Sequence, residues 1–177
     1  MSNIEKSTAL DCIFGRRSIR TFTNQPVQEE TLTMLLKAAM AAPSAVAKDP
    51  WRFVVIREQK VLSDLGSGLP NGAFIVRAPL GIVVCGDRNA AHGGLEGYMV
   101  QDCSAALENM LISAHILGLG SCWLGVYPRE ERQKHVAGVL RLPAGVEALA
   151  AVAIGYPAEK RSPRTRYNDS FVHYEAW

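Results

Sequence analysis

Apolar side chains recur along this chain in two rhythms. In residues 29–42 the positions Leu32, Leu35, Leu36 and Ala39 return at helical spacing. Pro26 opens the turn before them, Glu29 and Glu30 suit the positive end of a helix, and Pro43 stops it. A shorter helix is expected over residues 8–14, ending at Gly15. Four runs are short, apolar and rich in residues that favour strands: 51–56 (WRFVVI), 78–85 (APLGIVVC), 121–126 and 146–154 (VEALAAVAI). The first reads as a buried strand and the last as a central one, terminated by Gly155, Tyr156 and Pro157. Over residues 98–117 apolar side chains cover almost every helical face, so this helix is buried or packs a partner subunit; Gly118 ends it. Residues 87–97 read as a loop and residues 128–139 as an amphipathic helix.

Residues 158–177 break the pattern. They are basic at first and then aromatic, with Phe171, Tyr174 and Trp177, and they lack an apolar face of their own. Such a tail is either docked or disordered, and its aromatic density favours docking on another subunit. No repeat or linker divides the 177 residues, which fits one domain of about 150 residues or somewhat more.

Composition narrows the function. With 48% hydrophobic and 20% charged residues the chain is not intrinsically disordered. Nineteen Lys and Arg against 17 Asp and Glu leave a net charge of +2, too balanced for a nucleic-acid binder. Any anion site must come from a local basic cluster. Cys12, Cys85, Cys103 and Cys122 form no CxxC pair, and three sit in apolar stretches, as buried thiols in a reducing compartment do. His92, His115, His135 and His173 are scattered, so no metal centre is expected. The first 18 residues carry acids where a signal peptide needs positive charge. No apolar run approaches the roughly 18 residues of a membrane span. A soluble, cytoplasmic protein is expected.

Four segments hold candidate chemistry. Arg16, Ser18 and Arg20 in RRSIR share one face if the segment is extended, offering two guanidinium forks and a hydroxyl to a phosphate; a solvated basic turn is the plainer alternative. Lys160, Arg161, Arg164 and Arg166 form a second basic group that could meet the first on one anion. Pro43, Ser44 and Ala45, continuing to Asp49 and Pro50, make a rigid loop of small residues. It could let a planar ligand approach the backbone, or simply connect helix to strand. GLGSCWLG at residues 118–125 follows a helix and lacks GxGxxG, which excludes a dinucleotide fingerprint or a P-loop. There is no GxSxG, no HExxH and no Cys/His nucleophile pair, so no side chain is assigned as catalytic. Phosphate donors without a triad point to a cofactor that carries its own reactivity.

Taken in order, RRSIR, APSA, PWRF, GLGSCWLG and the ending GYPAE…R.R…HYEAW resemble the nitroreductase family of FMN-dependent oxidoreductases. The resemblance runs from end to end of the chain. It implies an α+β fold, with a mixed, mostly antiparallel sheet flanked by helices, in a compact homodimer whose C-terminal arm wraps the partner. It further implies that Arg16, Arg17, Ser18 and Arg20 bind the phosphate, ribityl and pyrimidine groups of FMN, and that Arg164 and Arg166 close on the phosphate. Pro43, Ser44 and Ala45 would line the isoalloxazine from the other subunit. Leu124 and Gly125 would offer backbone N–H near the flavin N5, and Asn71 would meet the pyrimidine end. NADH or NADPH would be the electron donor and a small molecule such as a nitroaromatic or quinone the acceptor. Reductive dehalogenation, flavin fragmentation and non-catalytic flavin binding are the alternatives. One departure stands out: the family follows APSA with a residue, Asn, a residue, Gln and Pro-Trp, where this chain has Ala47 and Asp49 around Lys48. A carboxylate in place of an amide there would disfavour a reduced anionic flavin, with Lys48 as an offset.

Overall fold

Leu80, Ile82 and Val84 point to one side of their strand and Val83 and Cys85 to the other, and both sides are buried. That double burial explains the unbroken apolar run and demands helices on both faces of the sheet. A computed structural model, describing residues 8–177, shows this arrangement. The strands are β1 (Trp51–Ile56), β2 (Leu80–Asp87), β3 (Gly120–Gly125) and β4 (Val146–Gly155). Their order is β1-β2-β4-β3 and every ladder is antiparallel, with Val83 opposite Ala151 and Leu124 also opposite Ala151 across the sheet. The helices are α1 (Thr8–Gly15), α2 (Glu29–Met40), α3 (Gln59–Ser67), α4 (Glu96–Ile116) and α5 (Glu130–Leu140).

One core layer joins α2 and α4 to the sheet through Leu35, Ala39, Ala106, Met110, Ile82 and Val152. The other joins α3 and α5 through Leu62, Leu65, Ile75, Val136, Val83 and Ala151. Each large side chain buried there contributes about 1.5–3 kcal/mol. β4 is interior, as its composition implies. β1 is not the buried strand expected. It lies at the sheet edge, with Arg52 and Val55 exposed, because its outer neighbour is solvent. The sheet is also less mixed than expected: its parallel element is a single bridge, Ser18 to Ser121. α3 was not legible, since its apolar positions Val61, Leu62 and Leu65 are few and separated by Ser63 and Asp64.

That single bridge begins the feature that matters most for function. Residues 18–22 run extended along the free edge of β3 and on past the end of β4. The Ile19 N–H donates to the Ser121 carbonyl at 2.9 Å, and Phe22 bridges to Pro157. Thr23 N–H donates to the Tyr156 carbonyl at 2.9 Å, and Ala158 N–H returns a bond to Thr21 at 2.9 Å. Gly120 makes this possible: a Cβ there would stand 2.7 Å from Ile19 Cγ2. In α4 one face is buried in its own chain, with Asp102, Cys103, Ala106, Leu107, Met110, Leu111 and Ala114, while the residues between them are half-buried. The tail is not buried: Tyr167, Phe171, Tyr174 and Trp177 are 70, 76, 79 and 101% exposed.

Candidate functional site

RRSIR is extended. Ile19 enters the core, Arg16, Arg17 and Ser18 line one cavity, and Arg20 lines another. Burial pushes the Cys122 thiol up, against the charge of Arg20 and a hydrogen bond with Ser18. Glu159, from the chain after β4, fixes the segment. Its Oε1 accepts the N–H of Arg20 at 2.7 Å and of Thr21 at 3.1 Å. Those bonds, the Arg20 one first, hold its carboxyl below the usual range despite some opposing burial. In the sequence Glu159 is only one letter of GYPAE, and a lone glutamate carries no signal of its partner.

The tail then turns back past α1, where the Arg164 N–H donates to the Phe14 carbonyl at 3.1 Å. The two basic groups therefore meet. Arg16, Arg17, Ser18, Arg164 and Arg166, with Ile13 of α1, line one cavity of about 270 Å³. Arg16 pairs with Glu108 of α4 at 3.2 Å, and an Arg17 Nη donates to the Ser162 carbonyl. Among the described residues neither Arg164 nor Arg166 has an ion-pair partner. Arg166 and Arg17, then burial and Arg16, push Arg164 below the ordinary arginine range. Four cations around one hydroxyl, with one carboxylate among them, make an electrostatic demand for an anion. The donor set fits a phosphate monoester. Lys160 and Arg161 do not line this cavity: Arg161 pairs with Glu159 at 2.6 Å, and both line a neighbouring groove that Arg16 and Arg17 also border.

Arg20 opens a second cavity of about 130 Å³ with Asn71, Phe74, Leu124 and Gly125. Its guanidinium lies 5.9 Å from the Phe74 ring centroid. Asn71 sits in the left-handed region at φ 60°, a conformation asparagine tolerates well. The turn carrying it packs closely on β3, because Gly72 lacks the Cβ that would stand 3.1 Å from Leu124 Cδ2. The Gly125 carbonyl accepts a bond from Arg132 Nη1 of α5 at 2.9 Å, a contact no motif announced. The polar fork of Arg20, the Asn71 amide and the backbone at Leu124 and Gly125 are a donor set suited to a heterocycle edge.

Pro43, Ser44 and Ala45 line neither of these two cavities. They form the loop after α2, where Ser44 Oγ donates to Asp49 Oδ1 at 2.5 Å and accepts the Asp49 N–H at 3.0 Å. The Asp49 carboxylate is thus bonded to its own loop. Asp102 of α4, 6% exposed, accepts the Ala45 N–H at 2.9 Å. Sequence reading missed Asp102, because it treated this helix as an apolar surface. Among the described residues no helix is long and apolar enough to cross a membrane.

Known proteins share this fold. The "Putative NADH dehydrogenase/NAD(P)H nitroreductase" of Methanothermobacter thermautotrophicus is 38% identical over 98% of this chain and 90% of its own length. A crystal structure of a protein of the same name from Parabacteroides distasonis superposes with a TM-score of 0.92 at 35% identity, over 97% of this chain and all of that one. A "putative nitroreductase in complex with fmn" from Desulfovibrio desulfuricans superposes at 0.83 with 34% identity, over 97% and 99% of the two chains. Residues 13–67 and 66–156 match the family model, and the chain belongs to the nitroreductase family.

Proposed function

We propose that this chain is an FMN-dependent NAD(P)H oxidoreductase, a single domain that acts as a homodimer. The observation that carries the reading is the meeting of Arg16, Arg17, Ser18, Arg164 and Arg166 around one cavity. FMN-bound structure in the Desulfovibrio desulfuricans relative supports it. The five residues would hold the FMN phosphate by charge-assisted hydrogen bonds. Arg20 and Asn71 would bind the pyrimidine edge, and Leu124 and Gly125 would present backbone to N5. Pro43, Ser44 and Ala45 would line the ring system from the partner protomer. When bound, FMN would supply the redox chemistry between NADH or NADPH as donor and a small acceptor such as a nitroaromatic or quinone. The protein's part is to bind, orient and exclude water, with no side chain acting as acid or base. Ser44 and Asp49 shape the loop through their mutual bonds, and Glu159 keeps Arg20 in register.

Stopped-flow mixing tests the proposal. The purified protein should carry FMN, and NADH or NADPH should bleach it faster than the rate of spontaneous exchange with buffer. A protein that binds FMN but is not bleached by either coenzyme is a binding module. A protein that does not bind FMN at micromolar concentration refutes the reading.

A further inference from the structure

Three of the four residues from Val46 to Asp49 hold left-handed backbone: Val46 at φ 53°, Ala47 at 50° and Asp49 at 49°. Left-handed backbone is unfavourable for L-residues, and for a β-branched valine it is an outlier. Packing does not hold Val46, which is 71% exposed. Strain of this kind persists only where surrounding structure over-determines it. Inside the loop, Ser44 and Asp49 pair reciprocally, and the Ala47 and Lys48 N–H groups donate to the Ser44 and Ala45 carbonyls at 3.1 and 3.2 Å. From outside, Arg52 Nη1 of β1 donates to the Asp49 carbonyl at 3.2 Å, at the far end of the loop. At the near end Asp102 Oδ1 accepts the Ala45 N–H at 2.9 Å.

Asp102 is a costly residue in its place. It lies on the buried face of α4, beside Cys103 and near Ala106, and a leucine there would add apolar burial. Its Oδ2 is buried with no hydrogen-bond partner among the described residues. A carboxylate so placed lowers stability. Among the described residues its side-chain hydrogen bond goes to the loop and to nothing in the helix or sheet. We propose that Asp102 is the positioning residue of the loop at residues 42–50: by fixing the Ala45 amide it holds Pro43, Ser44 and Ala45 in binding shape before any ligand arrives. What the loop then lines rests on the proposed function; the tether itself does not.

Three variants separate the tether from ordinary core packing. Asp102→Leu removes the acceptor, and Asp102→Asn keeps one oxygen for Ala45. Ala45→Pro removes the donor from the other side, with Ser44 already extended at φ −138° and ψ 157°, as a residue before proline must be. Amide hydrogen exchange by mass spectrometry on the flavin-free protein reads residues 46–49, and an FMN titration follows. Asp102→Leu should speed exchange there by about tenfold or more and weaken FMN by about tenfold, the scale of one hydrogen bond to a charged group. Asp102→Asn should restore both to within about threefold, and Asp102→Leu should add nothing in the Ala45→Pro background. Loop exchange unchanged by the leucine, or an undiminished leucine effect beside the proline, overturns the proposal. Should the leucine variant not fold, the proline variant decides alone, since faster exchange at residues 46–49 supports the tether and unchanged exchange refutes it. Faster exchange with unaltered FMN affinity leaves the tether standing and removes the loop from the flavin site instead.

Discussion

Replacing Arg20 with alanine isolates one proposed contact to FMN. The Arg20 guanidinium is exposed, lies 5.9 Å from the Phe74 ring centroid, and has no ion-pair partner among the described residues. Its charge is therefore available to a ligand. Its backbone N–H is bonded to Glu159, and that bond survives truncation of the side chain, so the segment should keep its place. A hydrogen bond to a charged group contributes about 1.5–3 kcal/mol. Solvent screening at an exposed site selects the lower end, about 1.5 kcal/mol, which corresponds to roughly tenfold in Kd. Loss of the contact with Phe74 should cost about 0.5–1 kcal/mol of fold stability at most. Titrating flavin-free protein with FMN at fixed ionic strength, by quenching of flavin fluorescence, measures the first quantity. Thermal unfolding without FMN measures the second. Arg20→Lys should fall between, since it keeps the charge and loses the planar fork. A Kd for Arg20→Ala within about twofold of the parent removes Arg20 from the site, because one bond of this kind cannot be worth so little.

Three further outcomes follow from the same geometry. Gly120→Ala drives a methyl into buried Ile19 and should cost about 1–3 kcal/mol in denaturant unfolding, with weaker FMN binding because RRSIR must shift. Burial pushes the thiols of Cys85 and Cys103 up to about 12, so native protein at pH 8 should resist iodoacetamide at both positions while denatured protein labels readily; rapid native labelling, read by mass spectrometry, would contradict this. The same shifts favour the folded state below the ordinary value of 9.0 and cease to do so as pH climbs from there towards 12. Deleting residues 170–177, where Tyr174 and Trp177 stand exposed on their own chain, should raise the dimer and FMN dissociation constants together, and sedimentation with flavin titration would show whether either stays put.

The elements that sequence makes legible are those whose neighbours leave a periodic mark. α2 announces itself through Leu32, Leu35 and Ala39 because one face meets α4 and the sheet. β4 announces itself as an unbroken apolar run because helices cover both its faces. β1 misleads for the same reason: WRFVVI is as apolar as a buried strand, yet an edge position is a fact about its neighbours and not about its residues. α3 fails in the opposite way. Nine residues with three apolar positions give too few periods to stand above a loop.

The site divides along a similar line. Strand alternation within five residues makes Arg16, Ser18 and Arg20 visible as candidates, although Arg20 lines its own cavity and Arg17 joins Arg16 and Ser18 at the other. The arrival of Arg164 and Arg166 at the latter cavity is not visible, because nearly 150 residues separate the two groups. What brings them together is a chain of backbone bonds: Phe22 to Pro157, Ala158 to Thr21, and Arg164 to Phe14. None of these uses a side chain that sequence could flag. Glu159 and Asp102 belong to the same class, since each acts by accepting a backbone N–H from a segment remote in sequence. Backbone N–H groups are identical at every non-proline position, so a carboxylate that holds one leaves no paired residue to find. Arg16, Ser18, Arg20, Arg164 and Arg166 were legible as candidates because a guanidinium or hydroxyl declares its own chemistry, whereas the residues that hold them in place become visible only with the fold.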